Sequence, residues 1–124
     1  MLFPIRVLNL PLTAIDPSLI QQVFMNIIMN AVEAMNGNGT LTLITRKDST
    51  DGYIEIDFTD NGKGIDLKRR KDIFRPGYST KRRGWGLGLS LSKRIIEVYH
   101  KGKIFVKSSV IGEGTTFKII LKKS

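Results

Sequence analysis

The sequence predicts a two-layer α/β sandwich of the α+β kind, in which a mixed β-sheet packs on about three helices. Three observations lead there. Apolar residues recur at helical spacing in two separate segments, 16–35 and 90–99. Strand-like segments of alternating polarity come in pairs rather than singly, which disfavours a doubly wound parallel sheet. The chain has 124 residues, 41% of them hydrophobic and 25% charged, so it can build one core and has little room for a second.

In order, residues 3–9 read as a short strand and 10–15 as a connector broken at Pro11. Asp16 followed by Pro17 is a strong helix start, because aspartate caps free amides and proline is pre-shaped for the first helical position. Ile20, Val23, Phe24, Ile27, Ile28, Ala31 and Met35 then form an apolar stripe, which Asn36-Gly37-Asn38-Gly39 ends with residues that tolerate left-handed backbone. Residues 40–46 and 53–60 alternate in polarity around the turn-rich segment 47–52, an antiparallel hairpin ending on Asp60. A short basic helical stretch is expected over 66–74. Residues 75–89 are rich in Gly, Pro, Ser, Thr and Lys, with few core residues, and predict a long, mobile, functional loop. Residues 90–99 read as a second major helix carrying Leu91, Ile95, Ile96 and Val98, and 103–109 with 115–122 as two closing strands.

Composition removes several classes of function. Without cysteine there is no disulfide, thiolate metal site or cysteine nucleophile, and the single histidine, His100, cannot build a histidine-rich metal centre. No apolar run approaches the roughly 20 residues that span a bilayer, and the first residues carry too little positive charge and too early a proline for a secretory signal. A soluble, cytoplasmic module is expected. Twenty Lys and Arg against eleven Asp and Glu give a formal charge of +9, a balance that suits nucleic acid, anionic lipid or a phosphorylated ligand. Most of this charge reads equally well as a solvated face. The cluster Lys81-Arg82-Arg83 differs because it adjoins a glycine-rich loop.

Four motifs carry the chemistry. On the first helix Asn26, Asn30 and Glu33 are four and three apart and share one arc beside the apolar stripe. Asparagines there are either solvent-facing or ligands, since amide oxygens are hard neutral donors to Mg²⁺. Asp60-Asn61-Gly62-Lys63-Gly64-Ile65 sets a carboxylate at a strand end with two glycines after it, which is either an ordinary turn or a place where backbone approaches a flat ligand. It lacks the spacing and hydroxyl of a Walker phosphate loop. Gly84, Gly86 and Gly88 alternate just after Lys81 and lead into a helix, an arrangement of bare amides and cations that suits polyphosphate, though it fails the dinucleotide fingerprint. Gly112-Glu113-Gly114-Thr115-Thr116-Phe117 is by itself a tight hairpin turn.

Taken together and in this order, these motifs resemble the ATP-binding catalytic domain of sensor histidine kinases, in the Bergerat fold shared with DNA gyrase, MutL and heat-shock chaperone ATPases. The resemblance covers nearly the whole chain, 1–124, read as a single domain excised from a longer sensor kinase. The N box is similar to Asp16-Pro17 through Asn26-Ile27-Ile28-Met29-Asn30-Ala31, and the phenylalanine box to Ile73-Phe74-Arg75-Pro76. The first glycine box is similar to Asp60 through Ile65, the second to Ser79-Thr80-Lys81 through Gly88-Leu89, and the third to Gly112 through Phe117.

The resemblance implies ATP and Mg²⁺ as cofactors, with a site made of Asn26, Asn30, Asp60, Gly62, Gly64, Ile65, Thr80, Lys81, Gly84, Gly86, Leu87, Gly88 and Thr115. Asp60 would accept from the adenine amino group, Gly64 and Thr115 would support the base, and Asn30 would hold the metal. Asn26 would meet the phosphates or their water shell. Lys81 and Asn26 are the implied catalytic residues, Lys81 reaching the terminal phosphates as the loop closes like a lid and stabilising developing phosphoryl charge. Hydrolysing and serine-directed members carry Glu where this chain has Asn26, so no general base stands there and transfer to an already nucleophilic imidazole is favoured. The implied partners are a phosphoacceptor and dimerisation domain of the same kinase and a response regulator receiver domain, with membrane contact only through other parts of a full-length protein. Two alternatives remain beside this reading. One is a Bergerat-fold ATPase or serine kinase. The other is a basic nucleic-acid module, disfavoured because Phe24, Tyr53, Phe58, Phe105 and Phe117 occupy core-patterned positions, leaving mainly Tyr78 and Trp85 for bases. Trp85 has no assigned role, and His100, in a turn, is not expected to be the phosphoacceptor.

Overall fold

A computed structural model describes residues 16–48, 52–76 and 88–122. The expected strand over 3–9 and the centre of the glycine-rich loop, 77–87, lie outside these residues. Helix α1 spans Pro17–Ala34, and its cap is the one expected: the Asp16 carboxylate accepts from the Ser18 and Leu19 amides. These bonds, with that from Leu19 foremost, hold the Asp16 carboxyl below its ordinary pKa. Strands β1 (Leu41–Asp48) and β2 (Tyr53–Asp60) form the expected hairpin. Helix α2 (Gly88–Arg94) continues through a widened turn over Ile95–Tyr99, and strands β3 (Lys103–Val110) and β4 (Gly114–Lys122) close the chain.

The described strands form one sheet in the order β1-β2-β4-β3, with every pairing antiparallel. The two-layer sandwich stands, but among the described residues the sheet is antiparallel rather than mixed. Among the described residues the helices are two rather than about three. Over 66–74 the chain makes two 3₁₀ turns, Leu67–Arg69 and Asp72–Phe74, because this polar stretch buries only Ile73 and Phe74 and cannot offset the cost of a longer helix. Among the described residues no helix is long and apolar enough to cross a membrane.

One face of the sheet makes the core. Ile54, Ile56 and Phe58 of β2 alternate toward α1 and meet Val23, Phe24 and Ile27, with Phe24 and Phe58 edge to face at 5.2 Å. Phe117, Ile119 and Leu121 of β4 and Ile95 and Ile96 after α2 complete it. The second helix differs from expectation in its face and its start. It begins at Gly88, and Leu91 and Val98 are exposed while Ser92 is fully buried.

The outer face of the sheet is covered by no described element, so Tyr53 and Phe105, expected inside, are exposed there. Asp57 nevertheless is 3% exposed on this side, because long cations fold over it. Arg46 reaches it at 2.9 Å, Lys107 at 3.3 Å and Lys118 at 3.7 Å, and Lys118 also pairs with Glu55. Burial by itself would push the Asp57 carboxyl up; the hydrogen bonds from Arg46 and Lys107 and the charge of Lys118 outweigh it and hold the group below its ordinary value. Two aromatics the nucleic-acid reading would need are thus on the surface, but the cations beside them are engaged with Asp57 and Glu55.

Candidate functional site

Asp60 ends β2 opposite Thr115 of β4 and is 4% exposed. Its Oδ1 accepts from the Gly62 amide at 2.9 Å and from the Thr115 amide at 3.3 Å. Both bonds fall on one oxygen, so Oδ2 is the acceptor left for a ligand. A shallow, open cleft of about 170 Å³ lies alongside, walled by Asp60, Ser109, Glu113, Gly114 and Thr115.

The loop after Asp60 is clamped between two elements. On one side Gly62 packs so tightly that an added Cβ would stand 2.6 Å from the Ala34 carbonyl oxygen, and the Lys63 amide donates to that oxygen at 3.0 Å. On the other, Gly64 has φ +79° and its α-carbon lies against the Val110 carbonyl, while the Gly112 amide donates to the Lys63 carbonyl at 2.7 Å. Only glycine fits Gly64 without strain. The first and third glycine motifs, about fifty positions apart, therefore form one clasp, and it sits on the end of α1.

Ile65 leans on the core, and its amide donates to Ser109 Oγ at 2.7 Å. That hydroxyl also lies 2.8 Å from Thr115 Oγ1. Thr115 thus contributes its amide to Asp60, while its hydroxyl is engaged by Ser109, a residue absent from the sequence-based site. Ser109 could not be found from alternation. β3 carries an irregularity between Val106 and Ser108 that sets Lys107 out of register, so Ser109 turns inward where strict alternation would turn it out.

Asn30 stands on α1 one turn before Ala34, the residue on which the Asp60 loop rests. It is half-buried, and no described residue bonds its carboxamide. A hard, neutral oxygen so placed fits Mg²⁺. Among the described residues no group of three His, Cys, Asp or Glu could hold a metal. Asn26, one turn earlier, is engaged differently. Its Nδ2 donates to the Gly88 carbonyl at 3.0 Å and to Ser92 Oγ at 3.1 Å, tying α1 to the root of α2. Of the second glycine motif only Gly88 and Leu89 are described; Thr80, Lys81, Gly84, Gly86 and Leu87 lie outside the described residues.

His100 takes no part in this cluster. Its Nε2 accepts from the Asp16 amide at 3.0 Å, so its Nδ1, 2.8 Å from the Ile95 carbonyl, is the nitrogen that carries hydrogen. It pins the end of the second helical segment to the cap of α1, a structural role consistent with the turn position.

Known proteins resemble this chain over most of its length. The chain is 46% identical over 106 residues to the signal transduction histidine-protein kinase AtoS of Escherichia coli (strain K12), covering 86% of this chain and 17% of AtoS. It therefore spans about a sixth of that relative. The nucleotide-free catalytic domain of histidine kinase ThkA superposes with a TM-score of 0.78 at 31% identity, over 90% of this chain and 70% of that one; ThkA has also been solved in complex with the response regulator TrrA, at a TM-score of 0.72 and 28% identity over 88% of this chain and 30% of that one. Full-length ShkA in complex with AMPPNP superposes with a TM-score of 0.76 at 25% identity, over 92% and 24%. Residues 15–124 match the family described as histidine kinase-, DNA gyrase B-, and HSP90-like ATPase, and the chain belongs to that family.

Proposed function

We propose that this chain is the ATP-binding catalytic domain of a two-component sensor histidine kinase. It binds Mg-ATP and donates the γ-phosphoryl group to a histidine on a separate dimerisation and phosphoacceptor domain, from which the group passes to a response regulator receiver domain. The carrying observation is Asp60: a buried carboxylate with one oxygen held by two amides and the other left over, beside a cleft. Such an acceptor suits the exocyclic amino group of adenine and repels the carbonyl of guanine. The kinase names of the relatives, the AMPPNP complex of ShkA and the regulator complex of ThkA support the reading.

In this site Asn30 would hold Mg²⁺, which when bound offsets the charge of the phosphate oxygens. Gly62, Gly64 and Ile65 shape the wall around the base, and Thr115 keeps Asp60 in place. Lys81, with Thr80 and the amides of Gly84, Gly86, Leu87 and Gly88, would take the terminal phosphates. A neutral imidazole attacks the γ-phosphorus as the bond to the β-phosphate oxygen breaks, leaving ADP; no base is needed, in keeping with Asn26. In a protein built like the relatives the domain would face the cytoplasm, and sensing and acceptor segments would lie elsewhere in the protein.

Calorimetry with Mg-ATP and Mg-GTP tests the binding half, and transfer of labelled γ-phosphate to a separately supplied acceptor domain tests the chemistry. Equal affinity for the two nucleotides would remove Asp60 from base recognition. Lys81→Ala should weaken ATP more than ADP.

A further inference from the structure

The contact between Asn26 and the root of α2 leads further than the fold requires. Three atoms, Asn26 Nδ2, Gly88 O and Ser92 Oγ, stand at nearly equal separations of 3.0, 3.1 and 2.8 Å. Gly88 O can only accept, so the amide nitrogen of Asn26 must face it, and the orientation of the carboxamide is settled. Ser92 donates its hydroxyl hydrogen to the same carbonyl and offers a lone pair to Nδ2. Both acceptors therefore lie on the Nδ2 side of the carboxamide, and Oδ1 accepts from no described residue.

Ser92 is 0% exposed, one turn into α2 and 66 residues from Asn26 in sequence. A hydroxyl at a fully buried helical position is not needed for packing; alanine would fit α2 and remove no apolar contact. An asparagine carboxamide turns almost freely about its last bond unless its ends are held. We infer that Ser92 is a positioning residue of the nucleotide site, holding the Asn26 carboxamide, one turn before Asn30 on α1, in the single orientation that leaves its Oδ1 unengaged by any described residue and that fixes Gly88 against α1. This rests on the reading of the site as one for Mg-ATP and adds to it a residue outside the cleft.

The test uses this chain and the variants Ser92→Ala, Ser92→Thr and Ser92→Val, the last two sharing an added methyl and differing in the hydroxyl. Without nucleotide, the Asn26 side-chain amide protons should exchange slowly in the wild type and in Ser92→Thr, and faster in Ser92→Ala and Ser92→Val, as read by nitrogen-resolved NMR. In calorimetry, Ser92→Ala and Ser92→Val should lose about threefold to tenfold of the gain in ATP affinity that Mg²⁺ confers, the range of one neutral hydrogen bond. Metal-free ADP affinity should change less than twofold. Equal losses in both nucleotide arms, a Ser92→Thr as deficient as Ser92→Val, or unchanged amide exchange in Ser92→Ala would overturn the inference and leave the function standing. A wild-type chain with no metal-dependent gain would instead remove the function and the inference with it.

Discussion

The clasp between the first and third glycine motifs predicts very different costs for two glycines of the same backbone conformation. Gly64 and Gly112 have φ of +79° and +82°, but a Cβ on Gly112 meets nothing within 4 Å, whereas one on Gly64 would overlap the Val110 carbonyl. Alanine in left-handed backbone costs about 1–2 kcal/mol, partly offset by the stiffer unfolded chain, so Gly112→Ala should destabilise by about 1 kcal/mol. Gly64→Ala bears that same cost and must also push β3 away. The bonds flanking it, Gly112 amide to Lys63 carbonyl and Ile65 amide to Ser109 Oγ, are both 2.7 Å and would stretch or break. At about 0.5–1.5 kcal/mol each, they add about 1–3 kcal/mol. Urea unfolding followed by circular dichroism measures the pair; with a slope of about 1–3 kcal/mol per molar, Gly64→Ala should fall about 1 M below Gly112→Ala in midpoint at unchanged slope. Its ATP affinity should fall too, since the loop carrying Asp60 moves. Indistinguishable midpoints would show that Val110 does not constrain this loop, and the clasp would be refuted.

Three further outcomes follow from the same contacts. Asp60→Asn, which still offers a carbonyl oxygen to the Gly62 and Thr115 amides, should keep the melting temperature within a few degrees yet lower ATP affinity by about tenfold or more, because a donor replaces the charged acceptor; calorimetry and a thermal melt on one sample separate the two. Asp57→Asn should cost about 1–2 kcal/mol at neutral pH, a modest figure because Arg46 and Lys107 are about half exposed. The folded-state pKa of Asp57 is lowered, so its contribution is present above the unfolded value near 4 and lost as pH falls through the folded value; the gap between wild type and variant in denaturant midpoints should close below about pH 4. His100→Ala removes the bonds to the Asp16 amide and the Ile95 carbonyl, so it should lower stability by about 1–3 kcal/mol while nucleotide affinity and transfer to a supplied acceptor persist; labelled phosphate on the wild-type chain that vanished in the variant would contradict this.

What could be read from the sequence by itself is what local rules govern. Asp16 and Pro17 start α1 and the Asn36-Gly37 turn follows its end, because capping and left-handed tolerance depend on a few neighbours. β2 runs over Tyr53–Asp60 as its alternation requires, and the ordered motifs identified the family now matched over residues 15–124. Tertiary structure decided the remainder. Tyr53 and Phe105 are surface residues because the described elements cover only one face of the sheet, which alternation cannot reveal. Ser109 turns inward because β3 breaks register at Lys107, and one residue of slip reverses every side chain beyond it. Asn26 faces Gly88 and Ser92 across 62 and 66 residues, and Asp60 is held by an amide 55 residues away. Helical and strand periods reach a few residues along the chain; the direction in which an amide or a carboxylate oxygen points is set by whichever distant donor or acceptor the packed fold brings beside it.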